Sequence, residues 1–171
     1  MTNKYIPGTH ILWSEYRCSC CGRLPTGFFE VDDGISIEFM MLFKSFETIR
    51  KKLGNKPLRI TRGYTCPEHQ IEIYLQQIIK KYGSLSFGKI PEIARDKTIT
   101  PFSVHPFGLA FDILPKTDQR QKLIEEARMI KPKLRIGHKV YEGNENPHVH
   151  IDHGHMITPK FSEKLREGAE W

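Results

Sequence analysis

Four residues in two short stretches have the types and spacing to share a metal ion. His105 and Asp112 lie in SVHPFGLAFD at 103–112; His148 and His150 lie in PHVHID at 147–152. Imidazole nitrogens and carboxylate oxygens suit zinc. The chain has only eight histidines, so three of them in two such stretches stand out. The spacing makes a geometric demand. Seven residues of extended chain span about 23 Å, so a straight segment would keep His105 and Asp112 apart. Pro106, Phe107 and Gly108 intervene. Pro and Gly favour turns, and a turn here folds His105 back beside Asp112. Beyond it, Leu109, Phe111 and Ile113 alternate with Ala110 and Asp112, which predicts a strand with its apolar face in the core. The small Ala110 leaves room for an ion. In the second stretch Val149 and Ile151 alternate with His148, His150 and Asp152, so the three polar residues share one strand face. Two imidazoles on a buried strand face are costly unless hydrogen-bonded or metallated. Three protein ligands and a water would make a hydrolytic zinc site, and four ligands a closed one.

The elements that must position these residues can be read along the chain. Ile35, Phe39, Met40, Phe43, Phe46 and Ile49 recur at helical spacing, predicting a helix over 35–53. Lys51 and Lys52 suit its C-terminal dipole, and Gly54 suits the position just past its end. Residues 57–64 read as a strand entering a turn. A helix over about 68–82 follows, with Ile71, Ile73, Leu75, Ile78 and Ile79 as its apolar set. Arg62 falls where strand meets loop, either as a solvated arginine or as a cation for a substrate carboxylate or carbonyl. Residues 83–101 read as a long loop that could wall a cleft. A helix over 118–130 is N-capped at Thr117 or Asp118. A strand over 135–141, a turn at 142–146 and the His148 strand form a hairpin that sets the strands edge to edge. A short polar helix covers 160–169. Helices come first and strands cluster later. The expected fold is therefore α+β, a small antiparallel sheet carrying the zinc site and flanked by helices, in a single domain over 1–171.

Cys18, Cys20 and Cys21 crowd into WSEYRCSCCGRLP, and Cys66 is the only other cysteine. Three clustered cysteines could be half of a zinc site, but the usual two separated pairs are absent. They read as packed, reduced thiols or as one disulfide to Cys66, and in either role catalysis does not need them. The net charge of +6 suits an anionic partner, a nucleic acid or a cell envelope. The basic residues are scattered, with no aromatic-interleaved stripe, which argues against nucleic acid. No apolar run reaches membrane-spanning length, and the N-terminus has no apolar signal-peptide segment.

Together these segments resemble the zinc D-alanyl-D-alanine carboxypeptidase and L-alanyl-D-glutamate endopeptidase family, which cuts peptidoglycan peptides and includes phage endolysins. The family signature is matched by Ser103, His105, Gly108, Ala110 and Asp112, and its last zinc histidine by His150 in VHID. Thr61–Thr65 is similar to the family's Ser-Gly-Tyr-Arg turn, although here Thr65 follows Tyr64 and Arg62 precedes it. Ser14–Cys21 is similar to an N-terminal segment of one branch. The resemblance implies zinc held by His105, Asp112 and His150 in a DD-peptidase/hedgehog-like fold. It implies His148 as the general base, with Glu145 as its competitor. It puts Arg62, Tyr64 and Ser103 forward for substrate. The implied partner is a peptidoglycan peptide, with no nucleic acid, no membrane span and a monomeric chain. The implied setting is the cytoplasm until release to the cell wall, as in phage lysis.

Overall fold

The alternating segments pair into one antiparallel sheet. The computed structural model describes residues 4–29, 34–83, 103–138, 147–156 and 170. Strands β1 (Arg59–Arg62), β2 (Ala110–Leu114), β3 (Arg135–Gly137) and β4 (Val149–Asp152) lie in the order β1-β2-β4-β3. Register follows from the side-chain alternation. Ile60, Ile113 and Val149 are mutual cross-strand neighbours, as are Phe111, Ile151 and Ile136. All six are buried, so these rows form the core face. The other rows carry Arg62, Asp112 and His150, then Ala110, Asp152 and Arg135. A one-residue slip would send Asp112 and His150 into the core, so burial of the apolar rows fixes where they stand. The fold is α+β with a small antiparallel sheet and helices, as the sequence predicts.

Helix α1 (Trp13–Tyr16) is one turn, and α2 (Ile37–Lys52) is the main helix beneath the sheet. Along α2, Phe39, Leu42, Phe43, Phe46 and Ile49 are buried at helical spacing. Phe43 and Phe46 meet Phe111 of β2 with ring centroids 6.1 Å and 5.5 Å apart. Such pairs add about 0.5–1.5 kcal/mol each beyond burial. Gly54, at φ +80°, follows the helix in the left-handed conformation expected of it. Ile35 lies before this helix, bridging Phe29, so α2 begins two residues later than its apolar spacing suggests.

Helix α3 (Pro67–Tyr82) differs from an ordinary packed helix. Of its apolar set only Ile78 is buried, against Tyr74 and Tyr82 of the same helix, while Ile71, Leu75 and Ile79 are exposed among the described residues. Helix α4 (Arg120–Arg128) packs on α2. Its entry corrects the expected cap. Thr117–Gln119 form a 3-10 turn, neither Thr117 nor Asp118 caps the helix, and Gln119 occupies that position without a side-chain bond. β3 and β4 do pair edge to edge. The turn over 142–146, the helix over 160–169 and nearly all of the loop over 83–101 lie outside the described residues.

Two glycines allow the close approaches that bring α1 to the sheet. A Cβ on Gly63 would sit 2.7 Å from the Tyr16 Cα, and Tyr64 N–H donates to Tyr16 O at 2.7 Å. Gly108, at φ +73°, ends the turn that carries His105, and Tyr16 Oη donates to its carbonyl at 2.9 Å. The N-terminal turn is thus tied directly to the metal stretch.

Candidate metal centre

Asp112 is the hub of the polar face. It stands opposite His150 on β4 and Arg62 on β1. Its Oδ1 lies 2.8 Å from His150 Nδ1, 3.3 Å from His105 Nε2 and 3.8 Å from His148 Nε2. Its Oδ2 accepts from Arg62 Nε at 2.7 Å. His105 reaches the hub because residues His105–Phe107 form a 3-10 turn closed by Gly108 N–H donating to the His105 carbonyl. This is the fold-back that Pro106 and Gly108 imply.

The outer hydrogen bonds fix the tautomers. His105 Nδ1 is 2.6 Å from the Gly63 carbonyl, which can only accept. Nδ1 therefore carries the hydrogen, and the neutral ring turns its Nε2 lone pair toward Asp112. That nitrogen is buried and has no hydrogen-bond partner among the described residues. His150 Nε2 is 2.9 Å from Asp152 Oδ2 and donates to it, which turns Nδ1 toward Asp112. Two imidazole nitrogens and a carboxylate oxygen converge, all within 4.8 Å of one another. Acceptors face acceptors there, and a proton or a metal cation placed between them relieves the conflict.

The electrostatics agree. Burial lowers the His105 pKa, so this ring is neutral. Burial opposes ionisation of Asp112, but His105 and His150 outweigh it and hold the carboxyl well below its usual range. Burial likewise opposes charging of His150, yet its bonds to Asp112 and Asp152 push it up to about 9. With His150 charged at neutral pH, its proton occupies the gap toward Asp112, and a metal bound there would displace it. Burial lowers the His148 pKa, and that residue is neutral, a quarter exposed and at the rim. Once that proton has left, the donor set is one that zinc can take: two neutral imidazoles, each held by an acceptor on its far nitrogen, and one ionised carboxylate.

The other named residues fall in distinct places. Arg62 is bonded to Asp112 and braces the carboxylate. Tyr64 is buried in the core, with burial raising its phenol pKa. Ser103 Oγ accepts from His105 N–H at 3.3 Å and steadies the turn. Glu145 lies outside the described residues. Sequence reasoning gave Asp152 no role, although its place in the alternation with His148 and His150 was the signal. Asp152 also accepts from Gly154 N–H at 2.6 Å and lies 3.7 Å from Arg135 Nε. Thr61 Oγ1 donates to the Asp112 carbonyl at 3.1 Å.

Replacing Asp152 with asparagine should weaken metal binding about 10–100-fold, the usual effect of losing a ligand's outer partner. Competition against a chromophoric chelator reads this directly, and unchanged affinity would detach Asp152 from the site.

A second group of described residues is also arranged so that it could hold a metal. The sulfurs of Cys18, Cys20, Cys21 and Cys66 lie within 4.8 Å of one another. All four are free thiols, so the disulfide alternative to packed thiols is not the arrangement here.

No protein-family model, curated protein or solved structure matches the chain. Fold and site together define an α+β chain whose sheet presents a potential metal centre. No described helix is long and apolar enough to cross a membrane.

Proposed function

We propose that this chain is a zinc peptidase that hydrolyses an amide bond in peptidoglycan stem peptides, acting as a monomer after release to the cell wall. One observation carries the reading: His105, Asp112 and His150 converge on one point, with the neutral imidazole of His148 beside them. The resemblance of SVHPFGLAFD and VHID to the peptidoglycan peptidase signature supports the substrate class, as does a net charge of +6 against an anionic wall.

His105, Asp112 and His150 would hold the zinc. When bound, zinc supplies a water nucleophile at neutral pH and polarises the scissile carbonyl. The chain's own residues do the rest. Gly63 and Asp152 orient the two imidazoles, and Arg62 orients the carboxylate. His148, neutral at physiological pH, takes the proton of the attacking water and passes it to the leaving amine. Arg62 and Ser103 stand beside the ligands, where a substrate carboxylate or carbonyl would approach.

A second reading rests on the same 3.8 Å from His148 Nε2 to Asp112 Oδ1. Four ligands would close the site and leave a non-catalytic zinc module that binds the wall. Mass spectrometry of products from defined stem peptides separates the two. We expect cleavage at L-alanyl-D-glutamate or a cross-bridge. Release of D-alanine alone would make the protein a carboxypeptidase, and binding without products would favour the closed module.

A further inference from the structure

We infer that Cys18, Cys20, Cys21 and Cys66 form a second metal site, a closed tetrathiolate that takes zinc and has a structural role. The inference stands apart from the peptidase reading, and none of its four ligands belongs to that reading.

The turn after α1 brings the first three sulfurs together. Cys18 N–H donates to the Arg23 carbonyl at 3.0 Å, and Gly22 N–H donates to the Cys18 carbonyl at 2.8 Å. Gly22 takes φ +69°, which lets the chain reverse within the cysteine run. The fourth sulfur comes from the residue that precedes Pro67 and caps α3. Cys18 Sγ lies 3.4 Å from Cys20 Sγ, and Cys20 Sγ lies 3.6 Å from Cys66 Sγ. A tetrahedral zinc with bonds of about 2.3 Å places its sulfurs about 3.8 Å apart. Those two separations are close to an edge of that tetrahedron, and all four sulfurs lie within 4.8 Å of one another.

Donors suited to thiolates surround the group. Cys66 N–H points at Cys18 Sγ at 3.3 Å, and Arg23 Nε points at Cys21 Sγ at 3.1 Å. His69 Nδ1 lies 3.5 Å from Cys18 Sγ. Four thiolates this close repel one another, and a divalent, thiophilic cation among them relieves the repulsion. With four sulfurs in place there is no position for a catalytic water.

The role follows from what the site joins. Residues 63–66 carry Gly63, whose carbonyl holds His105, and Thr65, whose N–H donates to the His105 carbonyl at 3.3 Å. Tyr16, two residues before Cys18, holds Gly108. Zinc at the cysteines would clamp α1, the 63–66 segment and the start of α3 into one frame behind the His105 turn.

X-ray absorption at the zinc edge of the zinc-loaded full chain tests this. We expect sulfur scatterers at about 2.3 Å together with nitrogen and oxygen scatterers, and two zinc ions per chain by elemental analysis. The His105→Ala, Asp112→Ala variant should keep one zinc with sulfur scatterers only. The Cys20→Ser, Cys21→Ser variant changes the two exposed thiols, and should keep one zinc without them. A zinc spectrum of the unaltered chain without sulfur scatterers would overturn the inference whether or not the variants fold. Sulfur scatterers alone would support it while counting against the peptidase site.

Discussion

Replacing His148 with alanine should leave zinc at the His/Asp site and the fold intact, yet slow peptide hydrolysis by about 10²–10⁴-fold, the range a general base contributes. The expectation comes from position and protonation. His148 directly precedes β4, and its Nε2 lies 3.8 Å from the Asp112 oxygen around which the other two histidines gather. Burial depresses its pKa, so the ring is neutral at physiological pH and can accept a proton. His105 and His150 cannot serve, because each has one nitrogen committed to a far-side acceptor and the other aimed at the shared point. Metal content, measured beside the rate, decides the assignment. A His148→Ala protein that loses this zinc would make His148 a ligand and turn attention to Glu145 as the base. Glu145→Gln would then be the inactive, zinc-loaded variant.

Removing two ligands has the largest expected effect. The His105→Ala, Asp112→Ala protein should hold one zinc fewer per chain than the unaltered protein and hydrolyse no peptide above the uncatalysed rate. Asp112 anchors three interactions at once, to His105, His150 and Arg62, and His105 contributes a buried lone pair with no other partner among the described residues. What remains is His150, with His148 at the rim and the Arg62 cation beside them, a set without its carboxylate that holds zinc poorly. Elemental analysis on protein shown to be folded reads the first part. Undiminished zinc would remove His105 and Asp112 from the site.

The turn and strands of 103–112 and 147–152 were legible because their constraints are local. Pro106 and Gly108 can hardly avoid a turn, and alternation on either side of Asp112 and His150 leaves one register in which the apolar rows are buried. The α2 helix was legible for the same reason: its apolar spacing is long and regular. Three features were not legible. The entry to α4 depends on a 3-10 turn that offers no side-chain cap, so Thr117 and Asp118 gave a false signal. The bond from Arg62 to Asp112 depends on β1 pairing with β2, and cross-strand pairing is not written in either segment alone. The cysteines read as packed thiols, one disulfide to Cys66 or half of a zinc site, and their convergence was not readable because spacing rules look for separated pairs. Here three sulfurs share one turn and the fourth arrives from the start of a helix, a meeting that only the tertiary fold produces.

Purified peptidoglycan incubated with the zinc-loaded protein is the most direct test of the central claim, with released amino termini as the readout. The account predicts steady release, abolished by a chelator and restored by added zinc. No release with zinc bound at the His/Asp site, or release unaffected by a chelator that has stripped that site, would contradict it.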